Sequence, residues 1–325
     1  CTLQLLCRKY NITGSTYDGE RTVYSIDTSN PFFTMDANKC ILCRRCVLVC
    51  SELQCTNAIG VADRGFASRI TPPFDKVQED STCVSCGNCV AVCPTGALSP
   101  KRKEAFNYGE VKPVRSTCPY CGVGCQMDLL VKNNRVVDVR PAFTIPNDGL
   151  LCVKGRFGFQ FINHPDRLKN PLVKKDGKFT EVSWEEAYQI IVEKILEIKG
   201  QYGSDALAGL SSARCTNEEN YLMQKLFRAV IGTNNIDHCA RLCHASTVAG
   251  LASTLGSGAM TNSIEEILDS DVILVTGSNT TETHPVIGAK IRQAVRKGAK
   301  LIVAEPRRID LVGDAQVFLQ IKPGT

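Results

Sequence analysis

With 325 residues, 43% hydrophobic and 22% charged, the chain is long and apolar enough for two or three folded domains, which excludes a disordered tether. Its formal net charge of +5 is mild, and a single Trp with no interleaving of aromatic and basic residues argues against a nucleic-acid surface. No apolar run reaches the roughly 18 residues of a membrane span, so no span is expected within these residues.

The chain carries 18 cysteines, and twelve of them fall into three sets of four. The first is Cys40, Cys43, Cys46 and Cys50, spaced C-x2-C-x2-C-x3-C; the second repeats that spacing at Cys83, Cys86, Cys89 and Cys93, followed by Pro94. Two such copies make a two-cluster ferredoxin module. The short spacers let three thiolates grip one face of a cubane while the fourth reaches the neighbouring cluster. Cys40, Cys43, Cys46 and Cys93 are therefore assigned to one [4Fe-4S] cluster, and Cys83, Cys86, Cys89 and Cys50 to the other. Disulfide frameworks rarely duplicate this spacing and zinc sites favour separated pairs. Lys101-Arg102-Lys103 follows as a connecting segment, read either as a solvated linker or as a docking or steering surface.

The third set is Cys118, Cys121, Cys125 and Cys152, or C-x2-C-x3-C-x26-C. Residues 127–132 and 135–139 alternate around Asn133-Asn134, a hairpin-turn signal, and a small sheet there would return Cys152 to its partners. A zinc knuckle is the alternative from spacing alone; eight cluster cysteines just upstream disfavour it.

From about residue 171 the pattern becomes that of alternating helices and strands. Ser183 with Glu186 predicts a capping box, and Trp184, Ala187, Ile191, Ile195 and Ile198 form one apolar helical face ended by Gly200 and Gly203. A strand is expected over Ala206 to Leu210, then a helix capped by Thr216 with Glu219. Ser263 with Glu266 opens a short helix before a strand over Asp271 to Thr276. A helix over roughly Pro285 to Lys297 and a strand over Lys300 to Ala304 complete a βαβ unit.

Two loops at the strand ends are polar: Gly277 to His284, and Glu305-Pro306-Arg307-Arg308. Neither holds GxGxxG or GxxxxGK[ST], which argues against an ordinary NAD site or a P-loop. They are either plain crossover turns or the cradle of a nucleotide-bearing cofactor, with Glu305 or Glu282 meeting ribose hydroxyls. Between these elements Asn235 to His244 concentrates Cys239, Cys243, His238 and His244. A metal half-site, a structural histidine and redox metal chemistry are all open there, and spacing does not choose among them.

The passages CILCRRCVLVC, CVSCGNCVAVCPTGAL, TCPYCGVGC, LCVKGRFG, CARLCHAST, GSNTTETHP and the closing KPGT together resemble a formate dehydrogenase catalytic subunit. The resemblance is to the molybdopterin or tungstopterin oxidoreductase family, in the branch sharing its N-terminal region with the large iron-sulfur subunit of respiratory complex I. It implies an α+β two-cluster ferredoxin module over 36–99, a linker over 100–114 and a small β-rich [4Fe-4S] domain over 115–170. An α/β Rossmann-like pterin-binding domain over 171–325 follows, and residues 1–35 would end an N-terminal iron-sulfur region. Cys118, Cys121, Cys125 and Cys152 then match the ligands of the cluster nearest the pterin, and Lys154 the lysine between the two that helps electrons cross. Cys243 matches the molybdenum or tungsten ligand, and His244 the proton acceptor beside it. Gly277, Ser278, Asn279, Glu282, Thr283, Glu305 and Arg307 fall where the family holds the guanine dinucleotide ends of a bis-molybdopterin guanine dinucleotide cofactor; the family often carries Asp at the position of Glu305.

The implied reaction is reversible conversion of formate to carbon dioxide, with electrons exchanged through a flavin/NAD diaphorase subunit, a ferredoxin-like subunit or an iron-only hydrogenase. Cys1 resembles the last ligand of a histidine-and-three-cysteine [4Fe-4S] site, so these residues are expected to start inside a longer polypeptide. The substrate-binding arginine and further pterin-binding domains are expected beyond residue 325. Cys7, Cys55, Cys215 and Cys239 match no cluster role and read as small buried or semi-buried thiols. Reduced thiols and several clusters favour a cytoplasmic location. A nitrate reductase of the same superfamily is disfavoured by His244 and by the double ferredoxin preface. A complex I-like conduit is disfavoured by Cys243, His244 and Lys154.

Overall fold

The computed structural model describes residues 2–15, 17–102 and 104–324, which form two compact bodies. One comprises the residues up to His164 together with Ser263 onward, the other Pro165–Asn262.

In the first body, after a helix Thr2–Lys9, the strands Phe33–Met35 and Leu98–Pro100 pair antiparallel, with Phe33 opposite Pro100 and Met35 opposite Leu98. A second ribbon joins Gly60–Ala62 to Arg69–Thr71. Phe33, Met35, Ile59, Ile70 and Leu98 make the apolar centre of this module, and short helices Arg45–Leu48 and Asn88–Val92 carry Cys46 and Cys89. The next portion is a three-stranded antiparallel sheet of Lys112–Thr117, Gln126–Lys132 and Arg135–Pro141. Its hairpin closes at Lys132 opposite Arg135, with Asn133 (φ 49°) and Asn134 (φ 58°) both left-handed, the two-residue turn that matches strand twist.

Lys101 and Arg102, in the segment read as a solvated linker or a docking surface, are exposed and also make defined contacts. Lys101 Nζ donates to the Thr28 carbonyl at 2.8 Å, and Arg102 pairs with buried Asp138 at 2.6 Å while lying 4.7 Å over the Phe106 ring. Lys103 lies outside the described residues.

Residues 263–325 supply the parallel strands Val272–Thr276, Lys300–Ala304 and Val317–Leu319, in that order. The helix Pro285–Lys297 links the first two; Pro285 in its first turn has no intrahelical hydrogen bond to lose. Val275, Ile291, Leu301, Val303 and Leu311 form its core. This helix packs on the cysteine-bearing part of the same body: buried Lys290 reaches Asp148 at 3.0 Å, and Gln293 Nε2 donates to the Leu53 carbonyl at 2.6 Å. The Ser263–Glu266 signal is met by a 3-10 turn over Glu265–Asp269, with the Ser263 amide donating to the Glu266 carboxylate.

In the second body, helix Trp184–Tyr202 is capped by the Ser183 hydroxyl, which accepts from Glu186 N at 3.1 Å. The reciprocal half of the expected box is not used, because the Glu186 carboxylate pairs with Lys175 at 2.9 Å. Gly200 does not end the helix. The stop comes at Gly203, where φ reaches 84°. Of the apolar face, Ala187 is buried and Ile195 and Ile198 are half-buried, while Trp184 and Ile191 are exposed within this body. The next strand is Gly209–Ser211, later than expected, parallel to Ile236–His238. Residues 204–206 form a 3-10 turn held by Ser204 Oγ on the Ile231 carbonyl (2.9 Å) and Thr233 Oγ1 on Asp205 (2.6 Å). Thr216 and Glu219 form the full capping box of helix Asn217–Lys225. Among the described residues no helix is long and apolar enough to cross a membrane.

Candidate iron-sulfur and pterin-cofactor sites

The cysteines of the three sets lie near one another in the first body, and Cys46 is also within electrostatic reach of Cys89. The Cys46 thiol lies within electrostatic reach of Cys40, Cys43 and Cys93, and Cys89 within reach of Cys83, Cys86 and Cys50. Cys125 is likewise beside Cys118, Cys121 and Cys152. The first two loops can wrap a small volume because their spacers turn left-handed, at Leu42 (φ 55°), Arg44 (φ 59°), Ser85 (φ 52°) and Gly87 (φ 69°). Those turns aim amide N–H groups at sulfur: Leu42 N donates to Cys40 Sγ at 3.3 Å, Ala58 N to Cys50 Sγ at 3.3 Å, and Ser85 N to Cys83 Sγ at 3.4 Å.

Burial pushes the thiols of Cys46, Cys86 and Cys125 up to about 12 and that of Cys89 well above its ordinary value. Cys93 is the exception: burial raises it, but amide donors from Leu98, Thr95 and Gly96 outweigh that and hold it below its usual value. Most of these sulfurs are therefore protonated without metal, and binding iron must release protons. All described cysteines are free thiols.

Cys50, Cys83, Cys86 and Cys89 line one cavity, and Cys118, Cys121, Cys125 and Cys152 another. Among the described residues no three ligating side chains converge tightly enough for a single metal ion. A cubane takes its thiolates at separate irons, so four thiols standing apart around a small cavity, with amides directed at sulfur, fit a four-iron cluster better than a mononuclear zinc. Cys1 lies outside the described residues.

Cys152 precedes the helix Val153–Phe157, which places Lys154 on the wall of the third set's cavity with Tyr120, Gly155 and Thr283. The same helix buries Arg156, 4% exposed, whose guanidinium donates to the Cys86 carbonyl at 3.2 Å and to Asn88 Oδ1 at 3.3 Å. Sequence reasoning passed over both Arg156 and Asn88. The signal for the pair was Gly87-Asn88 inside the second cysteine spacer, but its partner stands 68 positions away in Asn88–Arg156 separation.

The two polar loops leave adjacent parallel strands at the same end. Gly277 N donates to the Ala304 carbonyl at 3.0 Å, so Gly277 and Glu305 start side by side. Glu305 is buried, with Arg307 Nε 3.5 Å from its carboxylate. Ser278 and Thr280 hydroxyls share a 3.0 Å hydrogen bond, and Thr283 Oγ1 donates to the Asn279 carbonyl at 3.1 Å, with Glu282 in the same turn. Loops at the carboxyl ends of parallel strands form a crevice suited to a nucleotide.

Cys243 and His244 belong to the second body. Cys243 ends the short helix Ala240–Cys243 and His244 sits at the break before helix Ala245–Leu255; both are exposed. His238 Nδ1 accepts from Ala240 N at 3.1 Å, which gives that histidine a structural task. Cys239 and Cys215 are exposed rather than buried: Cys239 lies at the entry to the short helix, where its sulfur accepts from Ala213 N at 3.2 Å, and Cys215 lies in the turn before Thr216.

Family models match three successive stretches: the ferredoxin-like domain of NADH-quinone oxidoreductase subunit 3 over residues 30–99, the molybdopterin oxidoreductase Fe4S4 domain over 111–164, and molybdopterin oxidoreductase over 167–325. The whole chain is 35% identical to Probable oxidoreductase YjgC of Bacillus subtilis and to Putative formate dehydrogenase SAV2309 of Staphylococcus aureus, and it spans 37% of the length of each. Acetylene hydratase from Pelobacter acetylenicus shares the fold over 64% of this chain and 29% of its own, with a TM-score of 0.55 and 22% identity. A ferredoxin-like module, an Fe4S4 domain and a mixed α/β region thus follow one another in the order that the cysteine sets and the parallel sheet require, and the chain belongs to the molybdopterin oxidoreductase family.

Proposed function

We propose that this chain is the cluster-bearing and cofactor-binding part of an enzyme that interconverts formate and carbon dioxide. The observation that carries the reading is the convergence of three cysteine tetrads in one body, with Lys154 on the wall of the third. That arrangement suits a two-electron centre joined to single-electron carriers. In this reading Cys40, Cys43, Cys46 and Cys93 hold one [4Fe-4S] cluster, Cys83, Cys86, Cys89 and Cys50 a second, and Cys118, Cys121, Cys125 and Cys152 a third. Cys243 holds molybdenum or tungsten in a bis-molybdopterin guanine dinucleotide, and the Rossmann-like loops over Gly277 to Thr283 and at Glu305 and Arg307 hold the dinucleotide ends. When bound, the pterin metal accepts the two electrons of formate oxidation and the cubanes pass them on singly.

The chain's own residues have distinct tasks. The Cys243 sulfur, exposed at a break between helices, is accessible to ligate a soft or high-valent metal. The neighbouring His244 imidazole takes the proton released as formate becomes carbon dioxide. Lys154 supplies a fixed positive charge beside the third tetrad. Glu305, buried at a strand end, accepts hydrogen bonds from ribose hydroxyls. Electrons leave to a separate electron-transfer subunit: a flavin-bearing diaphorase, a ferredoxin-like protein or an iron-only hydrogenase. The names of the formate dehydrogenase relatives support the substrate, and the residues Cys243-His244 support the chemistry.

The test is made on the complete protein, with metal content and formate-dependent dye reduction measured together. Molybdenum or tungsten at about one per chain is expected, together with iron. Cys243→Ala should abolish turnover and keep the cubane EPR signals. Iron without molybdenum or tungsten, or near-normal turnover in the variant, overturns the reading.

A further inference from the structure

Arg156 is a buried cation with no carboxylate of its own. Its two described hydrogen bonds go to neutral acceptors, the Cys86 carbonyl and Asn88 Oδ1. Asp138, a carboxylate in electrostatic reach, is already paired with Arg102 at 2.6 Å. A guanidinium keeps its charge when buried, and an uncompensated buried charge is costly, so the site needs an anion from elsewhere. The groups placed to supply it are sulfurs of two different cysteine sets, anionic once they ligate a cluster: Cys86 and Cys89 of the second set and Cys152 of the third.

The same pair ties those sets together. Asn88 lies between Cys86 and Cys89, and its Oδ1 accepts both from Arg156 and from Leu151 N at 3.1 Å, the amide just before Cys152. Its amide nitrogen donates to Gln54 Oε1 at 3.1 Å, which fixes its orientation. Gly87 makes room: a Cβ there would fall 2.3 Å from Arg156 Cδ and 2.7 Å from the Phe157 ring. A glycine, an asparagine and a distant arginine thus form one clasp across the gap between the second and third tetrads.

We propose that Arg156, oriented by Asn88, is a positioning residue for electron transfer between the Cys83/Cys86/Cys89/Cys50 set and the Cys118/Cys121/Cys125/Cys152 set, raising the reduction potential of the clusters on both sides. This rests on the reading that both sets hold [4Fe-4S] clusters. A thiolate-ligated cubane is anionic and gains a further negative charge on reduction, so a fixed cation stabilises the reduced form more than the oxidised. Hydrogen bonds and nearby charge are established means of setting such potentials.

Reductive EPR titration of the complete, cluster-loaded protein tests this. In Arg156→Gln the reduction equilibrium constant of at least one of these two clusters should fall about tenfold, or about 59 mV for a one-electron couple. Iron content should be unchanged, and Arg156→Lys, which keeps the charge, should recover most of the shift. Asn88→Asp, close in shape, places an anion in the same space and should lower the same potentials. Unmoved potentials in Arg156→Gln and Asn88→Asp at wild-type iron content overturn the proposal. Loss of iron from Arg156→Gln with an unmoved potential in Asn88→Asp does so too, and loss of iron from both assigns the clasp to holding the fold alone and also overturns it. Absence of cubane signals from the wild-type protein breaks the iron-sulfur reading instead, so the two failures are distinguishable.

Discussion

The two bodies are held together by different means. All three apolar clusters of the described residues lie in the first, with Phe33, Leu151, Leu301, Val303 and Leu311 at most 1% exposed, and the three cysteine tetrads are set among them. The second buries little beyond Val182, Ala187, Phe227 and Ile231, while Trp184, Tyr188, Leu196, Leu210, Leu222 and Leu242 are exposed within it. Its order comes instead from helix caps and short polar turns such as Thr216–Glu219 and Ser204–Ile231. The contrast teaches that dense cysteine does not replace an apolar core here; tight loops around thiols are built on one.

The sharpest break of this comparison is a pair of leucine truncations. Leu301→Ala, a fully buried side chain in strand Lys300–Ala304 of the first body, should cost about 2–5 kcal/mol in chemical denaturation, whereas Leu242→Ala, 96% exposed, should stay within about 0.5 kcal/mol. Equal effects would show that burial does not separate the bodies. Next in size is Gly87→Ala. It must accept both a left-handed backbone and a contact with Arg156, so a loss of about 1–3 kcal/mol is expected with no change in the melting of the second body. Thr216→Ala removes one side of the capping box in the second body and should cost about 1 kcal/mol, read as lost helicity in Asn217–Lys225 by amide exchange.

The smallest effect concerns pH. Asp36 is held below its ordinary value of 3.8, first by Lys39, with burial opposing and Asn38 assisting. A depressed carboxylate contributes stability that is complete above its unfolded value and is lost as pH falls through the folded one. Asp36→Asn should therefore lower the first body's stability at neutral pH and flatten its acid limb below about pH 4, so that variant and wild type converge in acid; a steeper acid limb in the variant would contradict the assignment.

How far the sequence could be read follows from how local each determinant is. Helix Pro285–Lys297 and strand Lys300–Ala304 were legible to the residue, because proline, periodicity and Gly298 mark their ends within a few positions. The Asn133-Asn134 hairpin was legible for the same reason. Gly200 misled because a single glycine weakens a helix without stopping it; the left-handed turn at Gly203 stops it. Strand Val317–Leu319 was missed because three residues show no period, and it forms only where Lys300–Ala304 offers an edge. Of the site, spacing grouped the cysteines that folding brings near one another, whereas the adjacency of Gly277 and Glu305 appears only in the sheet.

The sequence by itself determined which residues carry sulfur, where the Asn133-Asn134 hairpin turns and which helices have capping residues, since each depends on neighbours a few positions away. Tertiary structure alone decided that Arg102 is fastened to Asp138, that Gln293 meets Leu53, and that Arg156 lies between two cysteine sets with Asn88 as its acceptor. Those contacts depend on how separate elements pack, and a buried guanidinium has no local pattern to announce it: its meaning comes from the thiols that folding brings to either side.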